Sequence, residues 1–164
     1  MATGDMALEN RDVSAMSAAT DSTWDGTLAH SLTQSLLARL ALHREQTARA
    51  LALLERAQWE RNPVPTVAEA DDRFLRAELL HQSGRDEEAA GWYGSIADRS
   101  SHELVYLAPA QYRLGQISDR QRDHRGVLAY YRKLLDLWRD GEPDVPFLAE
   151  ARRRVAELEV SLGE

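Results

Sequence analysis

Apolar residues recur along this chain at spacings of three and four, and the segments that carry them return at a near-constant interval. Leu28, Leu32, Leu36, Leu37 and Leu40 form the first such stripe and predict a helix that buries it. Asp25 or Thr27 is placed to cap that helix. A second run, Ala50, Leu51, Leu53, Leu54 and Ala57, closes near Trp59, and Pro63 and Pro65 end it. The residues between, His43-Arg44-Glu45-Gln46, include neither Gly nor Pro. The local pattern therefore permits one helix over 28–60, whereas the match to later segments places a break near Glu45.

The next segment predicts a helix carrying Phe74, Leu75, Leu79 and Leu80 as far as Gln82. Gly84 follows as the residue able to close it in the left-handed conformation. Asp86, Glu87 and Glu88 open a second helix at its positive end, with Ala89, Trp92, Tyr93 and Ile96 inside. Ser100 and Glu103 have capping-box spacing, and Pro109 delays the main third-segment helix to about Ala108, from which it runs to Arg120. Its partner, roughly Asp123 to Arg139, presents Val127, Leu128, Tyr131, Leu134, Leu135 and Trp138, and Asp140-Gly141-Glu142-Pro143 stops it. A last amphipathic helix, Phe147 to Leu162, carries Leu148, Ala151, Val155 and Leu158.

Superposing Ala50, Ala89 and Val127 gives steps of 39 and 38 residues. Four residues beyond each anchor stand Leu54, Tyr93 and Tyr131; three further come Ala57, Ile96 and Leu134. Twelve before each anchor stand the small residues Ala38, Ala77 and Gly115. A period of this length marks units that bury their apolar faces against their neighbours, and it predicts an all-α fold: an α-α superhelix of about three helix pairs, with the last helix as a terminal cap. Residues 1–25, rich in Ala, Ser, Thr, Asp and Met without periodicity, are expected to form a mobile tail, with Trp24 packing back on the first helix; residues 26–164 form the repeat domain.

Charge narrows the function. The net charge of −7 argues against nucleic acid or an anionic membrane as the main partner. The run Arg152-Arg153-Arg154 is interleaved with Glu150, Glu157 and Glu159 and reads as a solvated face. No cysteine is present, which removes disulfides and thiolate metal sites. Neither a secretory signal nor an apolar run of membrane-spanning length occurs, so a cytoplasmic location is expected. Among the basic residues only Lys133 is a lysine, an arginine bias that suggests a GC-rich, bacterial genome.

The second segment, Ala77 through Gly84 to Glu88-Ala89 and Trp92-Tyr93, and the third, Leu114-Gly115 followed by Ala129-Tyr130-Tyr131-Arg132-Lys133-Leu134, resemble tetratricopeptide repeats. The tract from Tyr131 to Leu158 is similar to the C-terminal repeats of some large bacterial signalling proteins, serine/threonine kinases and adenylate cyclases. The resemblance covers residues 28–162. Glu45 and Arg122 stand where that family usually has a turn glycine, Val127 replaces the usual alanine, and the period exceeds the family's length of about 34 residues.

Candidate chemistry is sparse. The histidines His30, His43, His81, His102 and His124 are scattered without metal-ligand spacing. Asp71-Asp72 and Glu87-Glu88 are placed at helix starts, where the macrodipole accounts for them. Gly91 and Gly94 have no preceding strand to make a phosphate loop and are read as points of close helix approach. The expectation is a non-enzymatic module with no cofactor and no metal. The resemblance implies that the first helix of each pair lines a concave face, on which Ser35, Arg39, His43, Phe74, Glu78, His81, Tyr112, Gln116 and Asp119 would meet a protein or peptide. The alternating Lys/Asn pattern that would grip a peptide carboxylate is missing. The alternative is a regulatory segment of a larger signalling enzyme. The exposed ends of so short an array also invite self-association.

Overall fold

In a computed structural model that describes residues 24–61, 64–140 and 145–163, the chain is all-α. Its helices are α1 (Trp24–His43), α2 (Thr47–Arg56), α3 (Val67–Gln82), α4 (Asp86–Gly94), α5 (Leu107–Arg120), α6 (His124–Leu137) and α7 (Pro146–Leu162). Short 3-10 turns occupy Trp59–Arg61 and Ser101–Tyr106. Residues 1–23, Asn62, Pro63, residues 141–144 (with Gly141, Glu142 and Pro143 of the expected stop) and Glu164 lie outside the described residues, as do the side chains of Trp24 and Asp25. The tail expected over 1–25 ends earlier than that, because the backbone of Trp24 and Asp25 is already helical. Thr27 therefore sits within α1 rather than before it.

The strongest sign of repetition is in the backbone. Glu45, Gly84 and Arg122 all have positive φ, at 60°, 75° and 59°, and stand 39 and 38 residues apart. Each closes a helix in the same way. The next residue's N–H reaches back five positions, Gln46 to Ala41, Arg85 to Leu80 and Asp123 to Ser118, at 2.9 Å in every case. The turn residue's own N–H reaches back three, to Leu42, His81 and Asp119. This is the Schellman closure, and it makes 28–60 a helix pair, broken at Glu45. All twelve residues of the sequence register, from Ala38 to Leu134, are buried.

The chain divides into two compact units, Met1–Asp72 and Arg73–Glu164, the division falling inside α3. In the first unit α1 packs on α2 around Ala38, Ala41, Ala50, Leu51, Leu53, Leu54, Trp59 and Ala70. The leucine stripe expected inside is not there. Leu32 and Leu36 are 36% and 49% exposed and Leu28, Leu37 and Leu40 half-buried, while Ser31, Thr33, Gln34 and Ser35 are buried. The reason is angular. At about 100° per residue, Leu36 stands some 160° round the helix from Ala38, and the closure that brings Ala38 onto α2 turns Leu36 outward. The buried hydroxyls are satisfied locally: Ser31 Oγ donates to the Thr27 carbonyl at 3.0 Å and Thr33 Oγ1 to that of Ala29 at 2.7 Å.

In the second unit α5, α6 and α7 share a core of Ala108, Val127, Leu128, Tyr131, Leu134, Leu148, Ala151, Val155 and Leu158. Each fully buried large side chain there contributes about 1.5–3 kcal/mol. Pro109 lies in the first turn of α5, where its missing N–H leaves no helix bond unmade. Asp123 caps α6 by accepting from the Gly126 N–H at 3.0 Å. Helix α7 covers α6 with its apolar side and keeps Arg152, Arg153 and Glu157 outside, as expected of a cap.

Three local expectations fail. Ser100 makes no capping hydrogen bond; Glu103, buried, instead accepts from the Ala97 N–H at 2.8 Å and pairs with Arg73 at 2.7 Å. Gly91 and Gly94 face open space, whereas a Cβ on Gly115 would lie 2.1 Å from the Tyr131 ring. Close approach is therefore real at the third glycine alone of these. Asp71 and Asp72 lie in the second turn of α3, past the reach of its dipole, and are held by side chains of α1.

Candidate functional site

In the second unit side chains of α3, α5, α6 and α7 line an open cleft of about 480 Å³. His81, Arg113, Gln116, Asp119, Arg120, Tyr131 and Glu150 line it. Helical spacing explains the grouping: Gln116 stands four residues after Tyr112, and Asp119 and Arg120 stand three and four after Gln116, on one side of α5.

Two-pronged ion pairs fix the walls. Arg113 donates through Nε to Glu78 Oε1 at 2.7 Å and through Nη2 to Oε2 at 2.8 Å, while its Nη1 donates to Gln116 at 2.9 Å. Arg154 grips Asp119 in the same manner, Nη2 to Oδ1 at 2.6 Å and Nε to Oδ2 at 3.0 Å. Such forks set orientation as well as charge. The Tyr93 hydroxyl donates to Glu78, and the Tyr112 hydroxyl to Glu150. Gln116 Nε2 donates to the Tyr112 oxygen at 2.9 Å, and the Tyr112 ring stacks on Tyr131 at 6.0 Å.

Electrostatics follow from these contacts. Burial resists ionisation of Glu78, but hydrogen bonds from Arg113 and Tyr93 outweigh it and hold the carboxyl below its usual range. Burial, reinforced by the Arg120 charge, lowers the His81 imidazole. Its Nδ1 lies 3.0 Å from Asp86 Oδ1, and Arg120 Nη2 lies 2.7 Å from Nδ1 and 3.0 Å from Nε2, so the ring is held between a carboxylate and a guanidinium that also pair with each other. Burial and then Glu150 push the Tyr112 phenol up to about 12. Tyr131 is raised as well, by burial first.

Of the residues expected on a binding face, Glu78, His81, Tyr112, Gln116 and Asp119 come together here. Phe74 is half-buried, stacked on Tyr106 at 4.8 Å and edge-on to Tyr93 at 5.9 Å. Arg39 and His43 belong to the first unit. His43 is exposed, and Arg39 is bound to Asp71, Asp72 and Ser35. Ser35 is buried and donates to Asp72 at 2.9 Å, so it does not line a solvent face. Arg154, assigned to a solvated run, is half-buried and pairs with Asp119 of the cleft lining.

Sequence reasoning missed Arg113, Arg120, Tyr131, Glu150 and Arg154. A signal existed. Glu78 with Arg113 and Asp119 with Arg154 are opposite charges 35 residues apart, and Tyr112 with Glu150 is one full period apart at 38. Among the described residues no helix is long and apolar enough to cross a membrane, and no three His, Cys, Asp or Glu side chains gather as a metal set. No family model matches the chain, and no curated protein matches it at a significant score.

Proposed function

We propose that this chain is a non-enzymatic interaction module of the tetratricopeptide-like kind, which presents its second-unit cleft to a protein or peptide. The observation that carries the reading is the cleft built on a repeated scaffold: the same left-handed closure at Glu45, Gly84 and Arg122, with polar side chains on α3 and α5 held in fixed orientation by forked ion pairs. Preorganised groups lose little conformational entropy when a partner arrives. His81 is likewise held in place, by Asp86 and Arg120.

A photoreactive phenylalanine derivative placed at Arg120, on the exposed rim, and separately at Arg153, on the outer side of α7, tests this in a bacterial lysate. Selective crosslinking of one protein from position 120 supports the reading; equal labelling from both positions, or none from 120, removes it. The resemblance to repeat tracts of bacterial kinases and cyclases favours a second reading, a regulatory segment of a larger signalling enzyme, in which the same cleft would receive a neighbouring domain.

A further inference from the structure

Resting on that binding role, we infer that the cleft recognises a cationic side chain, arginine or lysine, of the partner peptide through the Glu150 carboxylate and the Tyr131 hydroxyl. The charges around the cleft cancel in pairs with one exception. Arg113 is taken by Glu78, Arg120 by Asp86, and Asp119 by Arg154. Glu150 makes no ion pair among the described residues, and its hydrogen bond comes from the neutral Tyr112 hydroxyl. An anionic ligand would have to break a formed pair, two of them forked, whereas a cation meets a half-buried carboxylate that no described cation pairs with.

The repeat register shows why the vacancy falls here. Tyr93 and Tyr131 occupy equivalent positions, 38 residues apart. The Tyr93 hydroxyl donates to Glu78, but the residue equivalent to Glu78 in the next repeat is Gln116, whose amide is turned to Arg113 and Tyr112. Tyr131 is 1% exposed, lines the cleft, and makes no hydrogen bond through its hydroxyl among the described residues. A phenolic oxygen accepts from an ammonium or guanidinium as readily as it donates. A volume of about 480 Å³ has room for one long side chain and the backbone beside it.

The test is an NMR titration of the full ¹⁵N-labelled chain at low salt with N-acetyl-arginine amide, N-acetyl-lysine amide and N-acetyl-glutamate amide. The two cationic probes should give saturable shifts confined to amides near Glu150, Tyr131 and Gln116, and the acidic probe none there. Glu150→Gln should weaken the cationic probes by about tenfold. Tyr131→Phe, which keeps the ring and the core, should weaken them several-fold, and it decides the matter if Glu150→Gln lowers the unfolding midpoint. Unsaturable shifts, an equal response to the acidic probe, or undiminished binding in Tyr131→Phe and a folded Glu150→Gln overturn the inference. Crosslinking from position 120 that persists unchanged in Glu150→Gln overturns the cation assignment and leaves the interaction role standing. Loss of that selectivity with arginine binding intact overturns the interaction role alone.

Discussion

The α1–α2 pair and the α5–α6 pair close through the same turn, yet the first helix of one buries a much more polar side than the first helix of the other. In α5 the inward side is mostly apolar, Ala108, Ala110, Leu114, Gly115 and Ile117, with Gln111 and Ser118 buried beside them. In α1 it is Ser31, Thr33, Gln34, Ser35 and Ala38, with two leucines left outside. The common element is the small residue, Ala38 or Gly115, facing the partner helix twelve positions before its anchor. The difference teaches that closure and close approach, rather than the count of leucines, decide which side of a first helix turns inward. Polar residues are tolerated on that side because the serine and threonine hydroxyls bond to their own helix and Ser35 to Asp72.

The comparison breaks most visibly at Asp72. It is 3% exposed and accepts from Ser35 at 2.9 Å, the Trp59 indole at 2.9 Å and Arg39 at 2.6 Å. Asp72→Ala strands all three donors and should cost about 3 kcal/mol in chemical denaturation, an effect without counterpart in the apolar α5–α6 pair. Next comes Gly115→Ala, whose new methyl meets the Tyr131 ring and should cost about 2 kcal/mol, whereas the equivalent alanines at 38 and 77 are already accommodated. Glu45→Gly and Arg122→Gly relieve left-handed backbone at side-chain-bearing residues, so each should stabilise by about 0.5–1 kcal/mol by the same assay.

The ionic network of the second unit predicts an acid limb in the unfolding midpoint. The His81 pKa is lower in the fold than in the open chain, so the unfolded chain takes up the proton first. The stability it contributes is full above the ordinary value of 6.5 and is lost as pH falls from there towards the depressed folded value. Glu78, also depressed, adds a second loss below its ordinary value of 4.5. His81→Gln should flatten the upper limb and reduce the lower one only slightly, since Arg113 and Tyr93 contribute more than His81 to the depression of Glu78. Smallest of all is the leucine exchange: Leu32→Gln and Leu36→Gln should each change stability by less than about 0.5 kcal/mol, against about 2–5 kcal/mol for Leu54→Ala or Leu80→Ala inside.

Much of the helical frame was legible because period, turn glycine and anchor residues are local signals. Gly84 announced its own turn, and the spacing to Glu45 and Arg122 carried the other two. The error in α1 was also legible in principle, since Ala38 and Leu36 cannot both face α2. Hydrophobicity alone hid that conflict. The cleft was half legible. First-helix positions named Glu78, His81, Tyr112, Gln116 and Asp119, but Arg154 and Glu150 arrive from the terminal helix, whose inward side was read only for its apolar residues. Asp71-Asp72 was misread because sequence adjacency suggests a dipole effect, while the partner that holds Asp72, Arg39, is 33 residues away.

Amide hydrogen exchange at Gln46, Arg85 and Asp123 tests the repeated closure most directly. These three N–H groups each bond to the carbonyl five residues earlier at 2.9 Å, so all three should exchange slowly and to a similar degree, well below the first-turn amides of Arg49 and Arg125, which have no intrahelical carbonyl to bond. Fast exchange at Gln46 or Asp123, with Arg85 alone protected, would confine the closure to the one copy that has a glycine and contradict the threefold repeat.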